Sequence, residues 1–253
     1  MAPKLIILGS SNALPTEDRD HTMLAVVADG ETVLVDCGVN PILKLQKMGI
    51  NPTLVKHLII THFHPDHVSG FPMFVMAMWL QGRSEKLHVY GFGHSIERLQ
   101  RMMELFGWDK WPNFYPVEFH TVAEGDSQPV LDIPELAVTG TLVNHFIPTM
   151  GIRFHFKEDG KQVGYTCDTE PCHGVGVVAD GVDVLLHEAT GNEIGHSSAG
   201  QAGKAAQSAG VRHLMLVHYS TEKNTKMGLI AEAAQFFTGK ITCADDMQVI
   251  EIA

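Results

Sequence analysis

The stretch ITHFHPDHVSG, residues 60–70, concentrates side chains that bind metals: His62, His64, Asp66 and His67 fall within six residues. The chain carries 15 histidines, so some clustering is expected by chance, but the order here is informative. Leu58, Ile59 and Ile60 form a short apolar run that reads as a buried strand. Pro65 prevents that strand from continuing, and Val68 to Leu80 reads as an apolar helix. The ligand-type residues therefore sit where a strand gives way to a helix, a rigid support with an open face. Alternate residues of an extended segment point the same way, so His62 and His64 can meet one ion. Asp66 and His67, beyond the proline, can turn toward a second. Imidazole with carboxylate suits zinc, and also manganese or iron.

Three further donors follow apolar strands: His145 after LAVTGTLVN, Asp168 after QVGYTC and His218 after HLMLV. Three protein ligands per ion leave an open position for hydroxide, so the set predicts a hydrolytic centre with two divalent metals. His21, in DRDHTM, and His173, after CDTEPC, are weaker candidates of the same kind.

The elements that must position these residues form two similar halves. In the first, strands are expected at Lys4–Leu8, Thr22–Ala28 and Glu31–Gly38, with Asp29-Gly30 as a hairpin turn. A helix follows at Asn40–Gly49, with Pro41 in its first turn and Gly49 past its end. Then come a strand at His57–Ile60, the Val68–Leu80 helix, a strand at Leu87–Tyr90 and a helix at His94–Phe106. The second half carries strands at Leu136–Val143, Gly151–Phe156, Gln162–Tyr165, Val182–Leu186, His213–Val217 and Gln248–Ile250. Its helices are Ser198–Ala209 and Met227–Phe237. The halves meet near residues 107–134 within one domain spanning 1–253, and two packed sheets with helices outside fit the order. The aromatic stretch 106–115 is compatible with a lid over the site, a dimer contact or core.

These residues carry a resemblance. HxHxDH followed by single His, Asp and His at later strand ends resembles the metallo-β-lactamase superfamily, and within it the ribonuclease Z branch. ILGSSNALP, VLVDCG, Gly82-Arg83 and VYGFG match that branch's first half. HEAT (His187–Thr190) and HSSAGQAGKAAQSAGVRHLMLVHYS (His196–Ser220) match its later signatures. The resemblance implies a four-layer αββα sandwich of α/β class. It implies His62, His64 and His145 on one metal, Asp66, His67 and His218 on the other, and Asp168 bridging. It also implies that Asp66 positions the nucleophile and that His196 is the general acid, oriented and kept partly charged by Glu188.

Composition bounds the rest. Hydrophobic residues make up 45% and charged residues 19%, which supports a packed core. The net charge is −11, with no Lys/Arg cluster of the kind a nucleic-acid binder shows. MAPKLIILGSS reads as a first strand rather than a signal peptide, and no apolar run is long enough to span a membrane. The four cysteines form no CxxC pair, so a cytoplasmic protein with reduced thiols is expected. Enzymes of the branch that process tRNA carry a long arm between the third metal histidine and the bridging aspartate. The short gap between His145 and Asp168 has no room for one. Gap and charge together argue against tRNA and for a small-molecule substrate. The reading is thus a binuclear, zinc-dependent phosphodiesterase, and a homodimer. A carboxylic ester, lactone or sulfate-ester hydrolase is the alternative, and a non-catalytic metal-binding protein the alternative of another class.

Overall fold

The computed structural model describes residues 3–28, 30–222 and 224–251. Its strands form two mixed sheets of seven. In the first, β1 (Lys4–Gly9), β2 (Met23–Ala28) and β3 (Glu31–Val35) run antiparallel. β4 (Val55–Ile59), β5 (Leu87–Phe92) and β6 (Val117–Val122) then add parallel to β3. The chain changes sheet after β6. β7 (Gln128–Ile133), β8 (Leu136–Val143), β9 (Thr149–Phe156) and β10 (Gln162–Tyr165) pair antiparallel. β11 (Val184–Glu188), β12 (His213–Val217) and β13 (Lys240–Cys243) extend that sheet in parallel. The last strand, β14 (Gln248–Glu251), returns to pair with β1. Asp29 of the expected hairpin turn lies outside the described residues; Ala28 pairs with Glu31, and Gly30 has φ 72°.

Three apolar clusters define four layers. Leu5, Val33, Ile59, Phe92, Val138, Phe154, Tyr165 and Val217 meet between the sheets. Helices α1 (Ile42–Lys47), α3 (Phe71–Leu80) and α4 (Gly93–Leu105) cover the first sheet through Leu45, Phe74, Met78 and Leu99. Helices α5 (His173–Ala179), α6 (Ala199–Ser208) and α7 (Lys226–Ala233) cover the second through Val178, Ala202 and Leu229. This is the αββα sandwich, with both sheets buried on each face as parallel strands require.

The predicted Val68–Leu80 helix is broken. Pro65–Val68 forms a single turn, α2, and α3 starts at Phe71. The break lets the HxHxDH loop lie on the turn after β3. A Cβ on Gly70 would stand 2.1 Å from the Val39 carbonyl carbon, and one on Gly38 1.8 Å from the Asp66 carbonyl oxygen. Only glycine permits that approach, and it fixes the height of Asp66. β6, β7, β13 and α5 were not expected. β6 carries Glu118 and His120, β7 carries Pro129, and both are sheet edges, where polar residues and proline are tolerated. Most of the aromatic stretch packs on the core, with Tyr115 buried, Trp108, Trp111 and Phe114 partly buried and Phe106 exposed. Trp108, Trp111, Phe114 and Tyr115 pack into the cluster beneath α3 and α4, and Trp111 stacks on Trp79 at 5.1 Å.

Candidate metal centre

The parallel halves of both sheets end at one rim, and the seven expected metal ligands lie there. Asp36 follows β3, His62 to His67 follow β4, His145 follows β8, Asp168 follows β10, Glu188 ends β11 and His218 follows β12. Asp36, Cys167 and His218 have φ of 64°, 54° and 49°. These are left-handed conformations that non-glycine residues avoid and that cluster where structure is held for a purpose.

Two groups of donor atoms face each other. In one, His62 Nε2 and His145 Nε2 lie 3.0 and 3.1 Å from His64 Nδ1. In the other, Asp66 Oδ2 lies 3.5 Å from His67 Nε2 and 3.4 Å from His218 Nε2. Asp168 stands between. Its Oδ2 is 3.6 Å from His67 Nε2 and 3.9 Å from His62 Nε2, and its Oδ1 is 3.4 Å from His218 Nε2. The structure thus brings all seven predicted residues together. His21 contacts the Asn12 carbonyl through Nδ1, and His173 pairs with Asp126 at the surface; neither joins the groups.

Hydrogen bonds on the far side of four of these rings set their tautomers. His67 Nδ1–H donates to Asp36 at 2.8 Å, and His145 Nδ1–H to the Gly195 carbonyl at 2.7 Å. The Thr61 hydroxyl donates to Asp36, so it accepts from His62 Nδ1 at 3.1 Å. Likewise the Thr190 hydroxyl donates to the His218 carbonyl and accepts from His218 Nδ1 at 3.0 Å. Four Nε2 lone pairs are thereby turned inward, where they meet carboxylates and one another instead of donors. His67 Nε2 is buried with no hydrogen-bond partner. A buried polar atom left so would be costly. A divalent cation satisfies this donor set, and the residues fit one.

The field agrees. Burial opposes the charged form of Asp168, yet His218 and His67 hold its carboxyl well below the usual range. Burial likewise opposes charge on Asp66, and His218 and His67 outweigh it. Burial lowers His62, His64 and His145, leaving neutral imidazoles. His67 and His218 are raised by their carboxylate neighbours against the effect of burial. A proton and a cation compete there for the same lone pairs.

Beside the donors, His196 Nδ1 lies 2.9 Å from Glu188 Oε1. Glu188 is fully buried and also accepts from the backbone N–H groups of Thr169 and Thr190. His196 sits just before α6, whose start is held by a reciprocal Ser198–Gln201 capping box, a feature typically contributing about 1 kcal/mol. Asn12, Ala13, Phe146, Thr190 and His196 line a shallow cavity of about 150 Å³ over Asp66 and Asp168. Asp36, Thr61 and Thr190 were not singled out from the sequence. Asp36 had a visible signal, an acid closing the apolar strand VLV directly before Cys37-Gly38.

Histidines and aspartates at the strand ends of an αββα sandwich define a metal-dependent hydrolase. Residues 31–219 match the Beta-lactamase superfamily domain. Ribonuclease Z of Methanothermobacter thermautotrophicus is 31% identical, over 98% of this chain and 96% of that protein. Among solved structures, the metallo-beta-lactamase fold protein YhfI from Bacillus subtilis superposes with a TM-score of 0.84. It is 21% identical and covers 99% of this chain and 100% of its own. The short form of human tRNase Z superposes with a TM-score of 0.79 at 24% identity, covering 99% of each chain. The chain belongs to the metallo-β-lactamase superfamily, in its ribonuclease Z-like branch, and is a metal-dependent hydrolase of phosphodiesterase type.

One expectation is overturned. A full-length relative named ribonuclease Z and the fold shared with a tRNase Z conflict with excluding tRNA in favour of a small molecule. The exclusion rested on net charge and on the His145–Asp168 gap. Net charge sums the whole surface and says nothing of the field at one rim. The gap holds β9 and β10, which complete the sheet, so its length reports on an arm and not on the phosphodiester site. No helix among the described residues is long and apolar enough to cross a membrane.

Proposed function

We propose that the chain is a binuclear phosphodiesterase acting on RNA, with tRNA the first substrate to test. In this reading His62, His64 and His145 would hold one zinc ion and Asp66, His67 and His218 the other, with Asp168 serving both. The observation that supports two ions is the placement of Asp168, whose two oxygens face both donor groups. When bound, such ions supply Lewis acidity toward phosphate and activate water at neutral pH.

The protein's own groups supply the rest. Asp66, ionised in this field, faces the cavity and positions the attacking water. His196 donates a proton to the departing oxygen. Its proton is favoured by the hydrogen bond and charge of Glu188, which overcome burial, and this is the state a general acid needs. Phe146 is 61% exposed beside His145 and His196, a face on which a base can stack.

The test is cleavage by zinc-loaded protein of a 3′-extended tRNA, an unstructured RNA, an aryl diester and a lactone. RNA cleavage at a defined 3′ position is the expected result. Lactone turnover with intact RNA would refute the reading.

A further inference from the structure

A second cluster of ligand-type side chains lies away from this rim. On the face of the first sheet that looks toward the second, β5 presents His88 and Tyr90, and β6 presents Glu118 and His120. His88 pairs with Glu118 in register and Tyr90 with His120. The cluster lies toward the starts of β4, β5 and β6, whereas the strand-end ligands follow their other ends. It is the polar margin of the inter-sheet core, where that core reaches solvent. Glu118 and His120 sit two residues apart on an extended strand, so both point the same way.

We propose that His88, Glu118 and His120 form a separate zinc site joining edge strand β6 to β5. His88 Nδ1 and His120 Nε2 lie 2.9 Å apart, and Glu118 Oε2 is 3.8 Å from His88 Nδ1. The ring-nitrogen spacing is the one seen between His62, His64 and His145. The three ligand atoms lie within 4.8 Å of one another, which a small cation can span. Two imidazoles and one carboxylate are a donor set for zinc, with copper(II) and nickel(II) as competitors. Burial and His120 keep His88 below its usual pKa, favouring the neutral ring that a metal needs. Partial exposure of all three leaves a path of entry and room for water as a further ligand.

The neighbours allow it. His57 is engaged elsewhere, with Tyr90 Oη at 3.2 Å and Glu31 at 3.4 Å. It stacks on His88 at 5.5 Å and thereby fixes that ring. Tyr90 stacks on His120 at 4.7 Å and does the same. Lys86 is the competitor, with Nζ 2.7 Å from Glu118 Oε2. A bound cation would displace that ammonium, which is half-exposed and free to swing into water. The site would brace an edge strand and carry no chemistry, because it is remote from the strand-end donors.

The experiment is zinc titration of the full chain after exhaustive dialysis, followed by elemental analysis, on wild type, His120→Ala and the near-isosteric Glu118→Gln. Each variant is expected to bind about one zinc fewer than wild type and to keep its aryl diester turnover. Copper(II) added to wild type should show nitrogen hyperfine coupling from two imidazoles that His120→Ala reduces. Equal zinc in all three proteins, with a copper spectrum unchanged by His120→Ala, overturns the site. Because the comparison is between proteins that share the strand-end residues, it holds whether those residues take two ions or one.

Discussion

His196 is bound through Nδ1 to a fully buried carboxylate, Glu188, and its own side chain remains partly open to the cavity. This geometry leaves the other ring nitrogen on the cavity side while Nδ1 stays paired behind. It separates His196 from His62, His67, His145 and His218, whose rings are held from behind by neutral or carboxylate acceptors and face the other donors.

The first prediction follows from that separation. A general acid matters in proportion to the basicity of the leaving oxygen, and such catalysis is typically worth about 10²–10⁴-fold. His196→Ala should lose much of that factor on an RNA or alkyl diester and little on a nitrophenyl diester, with metal content unchanged. Glu188→Gln should follow the same pattern more weakly. Equal losses on both substrates would instead make His196 a binding residue.

The second concerns the metals. Asp168→Ala removes the carboxylate that faces both donor groups, and His64→Ala removes the nitrogen on which His62 and His145 converge. Each should cost at least one equivalent of bound metal by elemental analysis and most of the activity. Retention of full metal in both variants would refute the ligand assignment. Asp36→Asn should act more gently, because it removes no donor to the metals and weakens only the acceptor that orients His67 and, through Thr61, His62. Outer partners of this kind typically change metal affinity by about 10–100-fold.

Much of this was legible in the chain because strands ending in His or Asp announce themselves: apolar runs of regular length, each closed by one polar residue. His62, His145, Asp168 and His218 were found that way. What escaped was of three kinds. Thr61 and Thr190 act through tertiary hydrogen bonds that no local pattern encodes, and Asp36, although it closes an apolar strand, meets its partners His67 and Thr61 only in the fold. β6 and β7 escaped because edge strands carry few apolar residues, so periodicity fades where one side of the strand is unpaired. The split between α2 and α3 depends on Gly70 meeting the backbone of Val39, a contact set by the fold and invisible to helical spacing.

The third prediction tests the stacking face. Base–aromatic stacking is worth about 1–3 kcal/mol. Phe146→Ala should therefore raise KM for an RNA substrate by about 5- to 150-fold, with little change in kcat. Turnover of methyl nitrophenyl phosphate, which has no base to stack, should hardly move. A uniform fall in kcat on both substrates would mean that Phe146 supports His145, whose ring centroid is 4.9 Å away.

The fourth concerns stability. Burial, reinforced by Lys240, lowers His213 to about 4, and its Nε2 meets the Thr242 hydroxyl at 2.7 Å. The unfolded chain would titrate near 6.5. Because the folded pKa is the lower one, the unfolded state binds the proton first. The contribution is whole above about pH 6.5, falls as pH drops from there, and is gone near pH 4. After discounting for partial exposure, the loss is on the order of 1–2 kcal/mol. His213→Gln has no such titration. The stability difference between wild type and variant, from urea unfolding at fixed pH, should shift against wild type by that amount between pH 7 and 4. A difference independent of pH would show that His213 is neutral in both states or charged in both.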